Sequence, residues 1–114
     1  MNDSILISIK KMLGIAEDYT HFDQDIIMHI NSVFMILTQL GVGPSDGFFI
    51  ENDEMEWQDF HDDASELQAI KTYMYLKVQL MFDPPASSIV MECKKQLISE
   101  LEWRLNVSVD PTQS

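Results

Sequence analysis

The sequence predicts a mainly α protein: a small helical bundle of about four helices, with a short β-hairpin or loop excursion between the second and third long segments. Three observations predict this class. Apolar residues recur at spacings of three and four in four segments, the pattern of one-sided helices. Gly14, Gly41 and Pro84 each follow such a segment, where these residue types end helices. At 114 residues and 46% hydrophobic content, the chain can build one modest core.

The first half of the chain is predicted to hold two helices and the excursion. The first helix runs from Ser4 to Leu13, with Asn2 or Asp3 as its N-cap. The second runs from Phe22 to Leu40 and has a broad apolar stripe. After the turn-rich residues 42–47, the segment Phe48–Ile50 is predicted as a short strand. Its hairpin partner is predicted at Met55–Trp57.

The central helix, predicted from Glu66 to Phe82 and capped by Asp63, has apolar residues on two sides. One stripe is Leu67, Ile70, Met74, Val78 and Met81. A second stripe on nearly the opposite side is Ala69, Tyr73, Leu76 and Leu80. A helix that is apolar on two sides is covered on two sides. Either it is the central helix of the bundle, or its second stripe meets another protein, and we take that stripe as a candidate subunit or partner interface.

The last helix is predicted from Ile89 to about Asn106. Its stripe comprises Ile89, Val90, Cys93, Leu97, Ile98, Leu101 and Leu105, so that Cys93 is expected to be a small core residue. Glu100 and Arg104 form an i,i+4 pair, and Arg104 is, with Trp103, a candidate interface residue. Trp103 lies off the stripe and either contacts a partner or folds against its own surface. Residues 1–107 are expected to form one domain, followed by a flexible tail at 108–114.

The charge of the chain is strongly negative. Nineteen acids against seven bases give a formal net charge of −12, which argues against binding nucleic acid by neutralising phosphates. From residue 51 to 66 there are eight acids and no Lys or Arg: Glu51, Asp53, Glu54, Glu56, Asp59, Asp62, Asp63 and Glu66. This run is either a solvated loop, a docking face for a basic partner, or a wall that repels DNA. Lys71 and Lys77 on the central helix are candidates to pair with these acids of a neighbouring subunit.

The sequence contains no recognisable catalytic constellation. Asp23, Asp25 and His29 resemble half a metal site, but no second histidine falls at a matching helical spacing, and a plain surface pair is the favoured interpretation. No carboxylate is paired with a positioned base, a nucleophile or a glycine-rich turn. We therefore expect no enzyme activity, metal or cofactor. The N-terminus lacks the charge order of a signal peptide, and no apolar run reaches membrane-spanning length, so a cytosolic protein is expected.

Five stretches of this chain, taken in their order, resemble the head–tail connector, or adaptor, proteins of long-tailed bacteriophages and prophages. The stretches are Ser4–Ile15, Phe22–Asn31, Leu40–Pro44, Tyr75–Pro85 and Leu97–Asn106. The resemblance covers Asp3 to Asn106 and includes the Phe-Asp-Pro-Pro break between the last two helices. It implies a helical adaptor domain without catalytic activity.

The resemblance also implies a location and a set of partners. The protein would assemble in the host bacterial cytoplasm and act at the head–tail interface of the virion. There it would form a ring of itself, dodecameric in the virion, beneath the portal protein. The ring would extend the DNA channel towards a stopper or next head-completion protein, with DNA passing non-specifically and no membrane involved. Carboxylates lining such a channel would repel DNA phosphates.

Two other functions compete with this one. A small acidic regulator or inhibitor that mimics nucleic acid would use the run of acids to occupy a basic partner. It would bind as a monomer or dimer and would not need the second stripe of the central helix. A small hydrolase or metal enzyme would use Asp23, Asp25 and His29, and would purify with metal.

Overall fold

The protein is described by a computed structural model of residues 3–109, with side chains to Val107. Five helices occur in this part of the chain: α1 (Ile5–Met12), α2 (Asp23–Gln39), α3 (Trp57–Phe60), α4 (Ala64–Phe82) and α5 (Ser88–Val109). The predicted helical class is confirmed, and the four long helices begin and end within three residues of their predicted bounds. The cap candidate Asn2 and most of the expected tail lie outside the described residues, and α5 itself continues to Val109.

Polar side chains and glycines set the helix ends. Ser4, rather than the predicted Asn2 or Asp3, caps α1, because its Oγ accepts a hydrogen bond from the Ile7 amide at 3.3 Å. The prediction for α4 is confirmed: Asp63 Oδ1 accepts from the Ser65 amide at 3.0 Å. Gly41 ends α2 with a φ of +86°, a conformation that is accessible to glycine at little cost.

The predicted β-hairpin is wrong, and residues 3–109 contain no β-strand. The side-chain amide of Asn31 pairs with both backbone groups of Ile50, donating to its carbonyl at 2.9 Å and accepting from its N–H at 2.8 Å. The second segment pairs instead with the N-terminus, where the Ile5 amide donates to the Met55 carbonyl at 3.0 Å. Since other partners satisfy both segments, neither needs the other, and Trp57 starts helix α3.

Helix α4 is the centre of the bundle and packs against α2, α5 and α1. Asn106 of α5 also donates to the Leu40 carbonyl at the end of α2 at 3.1 Å. Its first stripe is in the core, apart from Met81 near its end, which is 41% exposed. The second stripe is covered by the chain's own last helix, and Tyr73 and Leu76 are 0% and 6% exposed. The structure therefore places these two residues in the core rather than at a surface where another subunit could reach them.

The predicted stripe of α5 divides into two. Ile98 and Leu105 are buried against the bundle and Leu101 is partly buried. The other four residues, Ile89, Val90, Cys93 and Leu97, are exposed. The prediction that Cys93 is a core residue is wrong, because α5 lies at the edge of the bundle and only one of its sides packs on α4.

Candidate functional site

The seven acids predicted to face a channel or a partner, from Glu51 to Asp63, are all exposed. Three of them have structural contacts. Glu56 and Asp59 form a reciprocal capping box at the start of α3, in which Asp59 Oδ2 accepts from the Glu56 amide at 2.8 Å. Asp63 caps α4, and hydrogen bonds from the Ser65 hydroxyl and from the amides of Glu66 and Ser65 lower its pKa.

The other four acids, Glu51, Asp53, Glu54 and Asp62, have free carboxylates. Within the described residues, no hydrogen bond or ion pair involves these side chains. The sequence shows eight similar acids, whereas the structure separates three that hold helix ends from four that face only solvent, and Glu66 is partly buried on α4. The free set is the part of the run available to a channel or a partner.

The two lysines predicted to pair with a neighbour's acids differ in their surroundings. Lys71 Nζ lies 3.6 Å from Asp3 Oδ1 and 5.8 Å from the centre of the Trp57 ring, so it already ties α4 to the N-terminal segment. Lys77 is partly buried, and no carboxylate in residues 3–109 lies within ion-pair distance of it. Of the two, Lys77 is the base that remains available for such a pair.

The remaining predicted contact residues lie along α4 and α5. Ala69 and Leu80 are half-buried beside the core. Trp103 is 67% exposed, so it does not fold against the surface of its own subunit. Arg104 is paired with Glu100 at 2.6 Å on the same exposed side of the helix, as the i,i+4 spacing predicts.

Sequence reasoning missed an exposed apolar face on α2. Met28 and Met35 are each 64% exposed and Phe49, carried by the loop that Asn31 holds, is 63% exposed. Phe49 and Met35 line one shallow groove. Met28 and Met35 are seven residues apart, two helical turns, and lie off the main stripe of α2. That spacing was the signal available in the sequence.

The residues considered as half a metal site are not assembled into one. Asp23 Oδ1 lies 2.8 Å from the buried Nζ of Lys10, which also donates to the Glu17 carbonyl at 2.9 Å. Asp25 and His29 line an open groove beside Phe82. In the part of the chain that the structure describes, no three His, Cys, Asp or Glu residues are grouped so that they could hold a metal ion. No helix there is long and apolar enough to cross a membrane.

Exposed apolar faces on two helices mark a small helical protein built for contacts with other proteins. The family model of the phage connector proteins matches residues 5–112 of this chain. The chain therefore belongs to the phage connector protein family, and the resemblance noted in the sequence is confirmed. No curated protein and no solved structure matches it. Membership implies a place at the virion head–tail interface and contact with other phage head or tail proteins.

Proposed function

We propose that this protein is a non-enzymatic adaptor that forms a ring beneath the portal, extends the DNA channel and links the packed capsid to the stopper or tail. The observation that carries the proposal is the family match across residues 5–112. The exposed apolar residues of α2 and α5 and the free carboxylates of residues 51–62 support it. A ring needs cohesive surfaces, and a channel for DNA needs a surface to which DNA does not adhere.

The free carboxylates suit the channel wall. Glu51, Asp53, Glu54 and Asp62 have no cation beside them among the described residues, so their negative potential is not locally neutralised. DNA binds proteins largely through cations that displace its counterions. A channel wall of unpaired carboxylates has no cations to displace the counterions of DNA, so the duplex passes without being retained. Lys77 offsets part of the repulsion between subunits in this proposal by pairing with the acids of a neighbour.

The C-terminal part of α5 suits a contact with the portal. Trp103 presents a large exposed ring, and Arg104 is held beside it by Glu100. Tryptophan and arginine are the residue types that most often dominate the energy of protein interfaces. Trp103→Ala is expected to reduce the yield of joined particles, whereas Tyr19→Ala, an exposed aromatic residue outside α5, is the matched control and is expected to have no effect.

The function is tested by electron microscopy of particles from the phage or induced prophage with this gene deleted. Separate full heads and tails, rejoined when the wild-type protein is supplied, are expected. Intact virions in normal numbers would overturn the adaptor role and favour the acidic regulator. Complementation with Trp103→Ala then tests the portal contact separately from the need for the protein.

A further inference from the structure

We infer that neighbouring copies of this chain bind head to tail, the α2 face of one copy against the α5 face of the next. The α2 face comprises Met28, Met35 and Phe49, and the α5 face comprises Ile89, Val90, Cys93 and Leu97. The inference rests on the proposed ring and specifies its subunit contact. It replaces the contact through the second stripe of α4, which the chain's own α5 covers.

The two faces are separate surfaces of the subunit, carried by two different helices that both pack on α4. Each face lies on the side of its helix away from the core. On α2, Ile30 and Phe34 are fully buried while Met28 and Met35 are 64% exposed. On α5, Ile98 is 6% exposed while Ile89 is 75% exposed. A repeating head-to-tail contact joins two different surfaces of the same chain, as these two faces are.

The faces also match in length. Met28 and Met35 are about 10 Å apart along the axis of α2, and Ile89 and Leu97 are about 12 Å apart along α5. Each face therefore spans about two helical turns. Methionine side chains are flexible and adapt to irregular apolar partners. Met28 and Met35 are therefore suited to packing against the branched side chains of Ile89, Val90 and Leu97.

Charge favours a second copy as the occupant. Helix α2 has no Asp, Glu, Lys or Arg between residues 26 and 39, and the α5 face carries no charge of its own. In a chain with a net charge of −12, most other pairs of surfaces would bring carboxylates together. The apolar side chains of the two faces can meet without opposing like charges. Glu51 and Glu54 line the groove beside Phe49 and therefore border the α2 face, where salt screens their repulsion.

Ring closure provides a further argument for the same occupant. In a closed ring, every α2 face is covered by an α5 face, so both of these faces are buried in every subunit. A foreign partner on one face would leave the other in water. One contact between copies thus accounts for both faces.

The single cysteine allows a direct test by cross-linking the purified full chain with a short flexible bismaleimide. Met28→Cys and Met35→Cys each place a second thiol on the α2 face while Cys93 remains on the α5 face. A ladder of multimers is expected in at least one of the two variants. The wild type, which has only Cys93, and the double variants that add Cys93→Ser are expected to stay monomeric on the gel.

Each other outcome overturns the inference. Dimers of the wild type would mean that α5 meets α5, and dimers of the double variants would mean that α2 meets α2. Monomers alone in both Met→Cys variants would mean that the two faces do not meet. None of these results bears on the deletion phenotype, so a failed contact model is distinguishable from a failed adaptor function.

Charge substitutions give a quantitative readout by sedimentation of the unlinked protein. Met35→Glu and Leu97→Glu are each expected to weaken association about tenfold or more, because each puts a charge in the contact and removes an apolar side chain that the contact would bury. Gln68→Glu adds the same charge at an exposed site of α4 and is expected to leave association unchanged. Equal effects of all three would show that net charge, rather than the faces, governs assembly. Circular dichroism checks that each variant remains folded.

Discussion

The phenolic oxygen of Tyr73 lies 2.6 Å from Oε2 of Glu102 and joins the central helix to the last one. Tyr73 is fully buried, and Glu102 is partly buried above it. Burial, followed by the hydrogen bond and charge of Glu102, raises the pKa of Tyr73 well above its usual value. This hydrogen bond joins α5 to α4 at the second stripe of α4, which α5 covers.

Tyr73→Phe is expected to lower the free energy of unfolding by about 1.5 kcal/mol, the usual contribution of a hydrogen bond to a charged group. The ring and its packing remain, so only the hydrogen bond is lost. Urea denaturation measures the change. Tyr75→Phe is the matched control, because Tyr75 is half-buried and makes no hydrogen bond through its hydroxyl within the described chain, and it is expected to change stability little.

The same tyrosine makes stability depend on alkaline pH. Its folded pKa is raised above the unfolded value of about 10. Its contribution is therefore complete below pH 10 and is lost progressively as the pH rises above that value. Wild type is expected to lose more stability than Tyr73→Phe between pH 9 and about pH 11, so their unfolding curves approach each other. Parallel curves across that range would contradict this account.

The acids of residues 51–63 are expected to differ in their effect on stability. Replacing the four free acids, Glu51, Asp53, Glu54 and Asp62, with their amides should leave the melting temperature unchanged or raise it, since only repulsion is removed. Asp59→Ala removes half of the capping box and is expected to cost about 1 kcal/mol. Thermal melts at neutral pH and low salt measure the melting temperatures of the four-amide variant and of Asp59→Ala. A large fall in the melting temperature of the four-amide variant would show that these carboxylates have structural contacts.

Gly43 is expected to be far less tolerant of alanine than Gly14. Both have positive φ angles, +86° and +82°, which cost about 1 kcal/mol for an alanine. A Cβ on Gly43 would lie 2.4 Å from the Phe60 ring, whereas one on Gly14 would meet nothing within 4 Å. Gly43→Ala should therefore cost about 3 kcal/mol, against about 1 kcal/mol for Gly14→Ala. Denaturant titrations of both variants measure the difference, and equal costs would refute the role of the ring.

The ion pair of Lys10 with Asp23 is expected to respond asymmetrically to mutation. Lys10 is 1% exposed, while the side chain of Asp23 is 22% exposed. Asp23→Asn leaves a buried ammonium without its counter-ion and should cost about 3 kcal/mol. Lys10→Met removes that charge while keeping much of its volume, and Asp23 can regain water, so a smaller loss is expected. Urea midpoints rank the two, and the opposite order would contradict this reasoning.

Local sequence signals predicted the helices well because the end of a helix and its apolar stripe both depend on residues that are close together in the sequence. Asp63 and Gly41 act as the cap and the stop expected of them. The strand prediction failed because the partners lie far away in the chain. Asn31 supplies the hydrogen bonds of Ile50 from 19 positions earlier, and the Met55 carbonyl accepts from Ile5. The sequence around Ile50 or Met55 gives no information about hydrogen-bond partners that are so distant in the chain.

The sequence by itself determined the helical class, the strong negative charge, the presence of two apolar sides on α4 and the connector family. Only the tertiary structure decided which apolar sides are covered. Tyr73 and Leu76 are buried because α5 lies over them. Cys93 and Leu97 belong to a stripe that the sequence pattern also predicts to be buried, but they are exposed because α5 packs against the bundle on one side only. Periodicity gives the direction of a side chain from its helix axis, but burial depends on which other helix packs there.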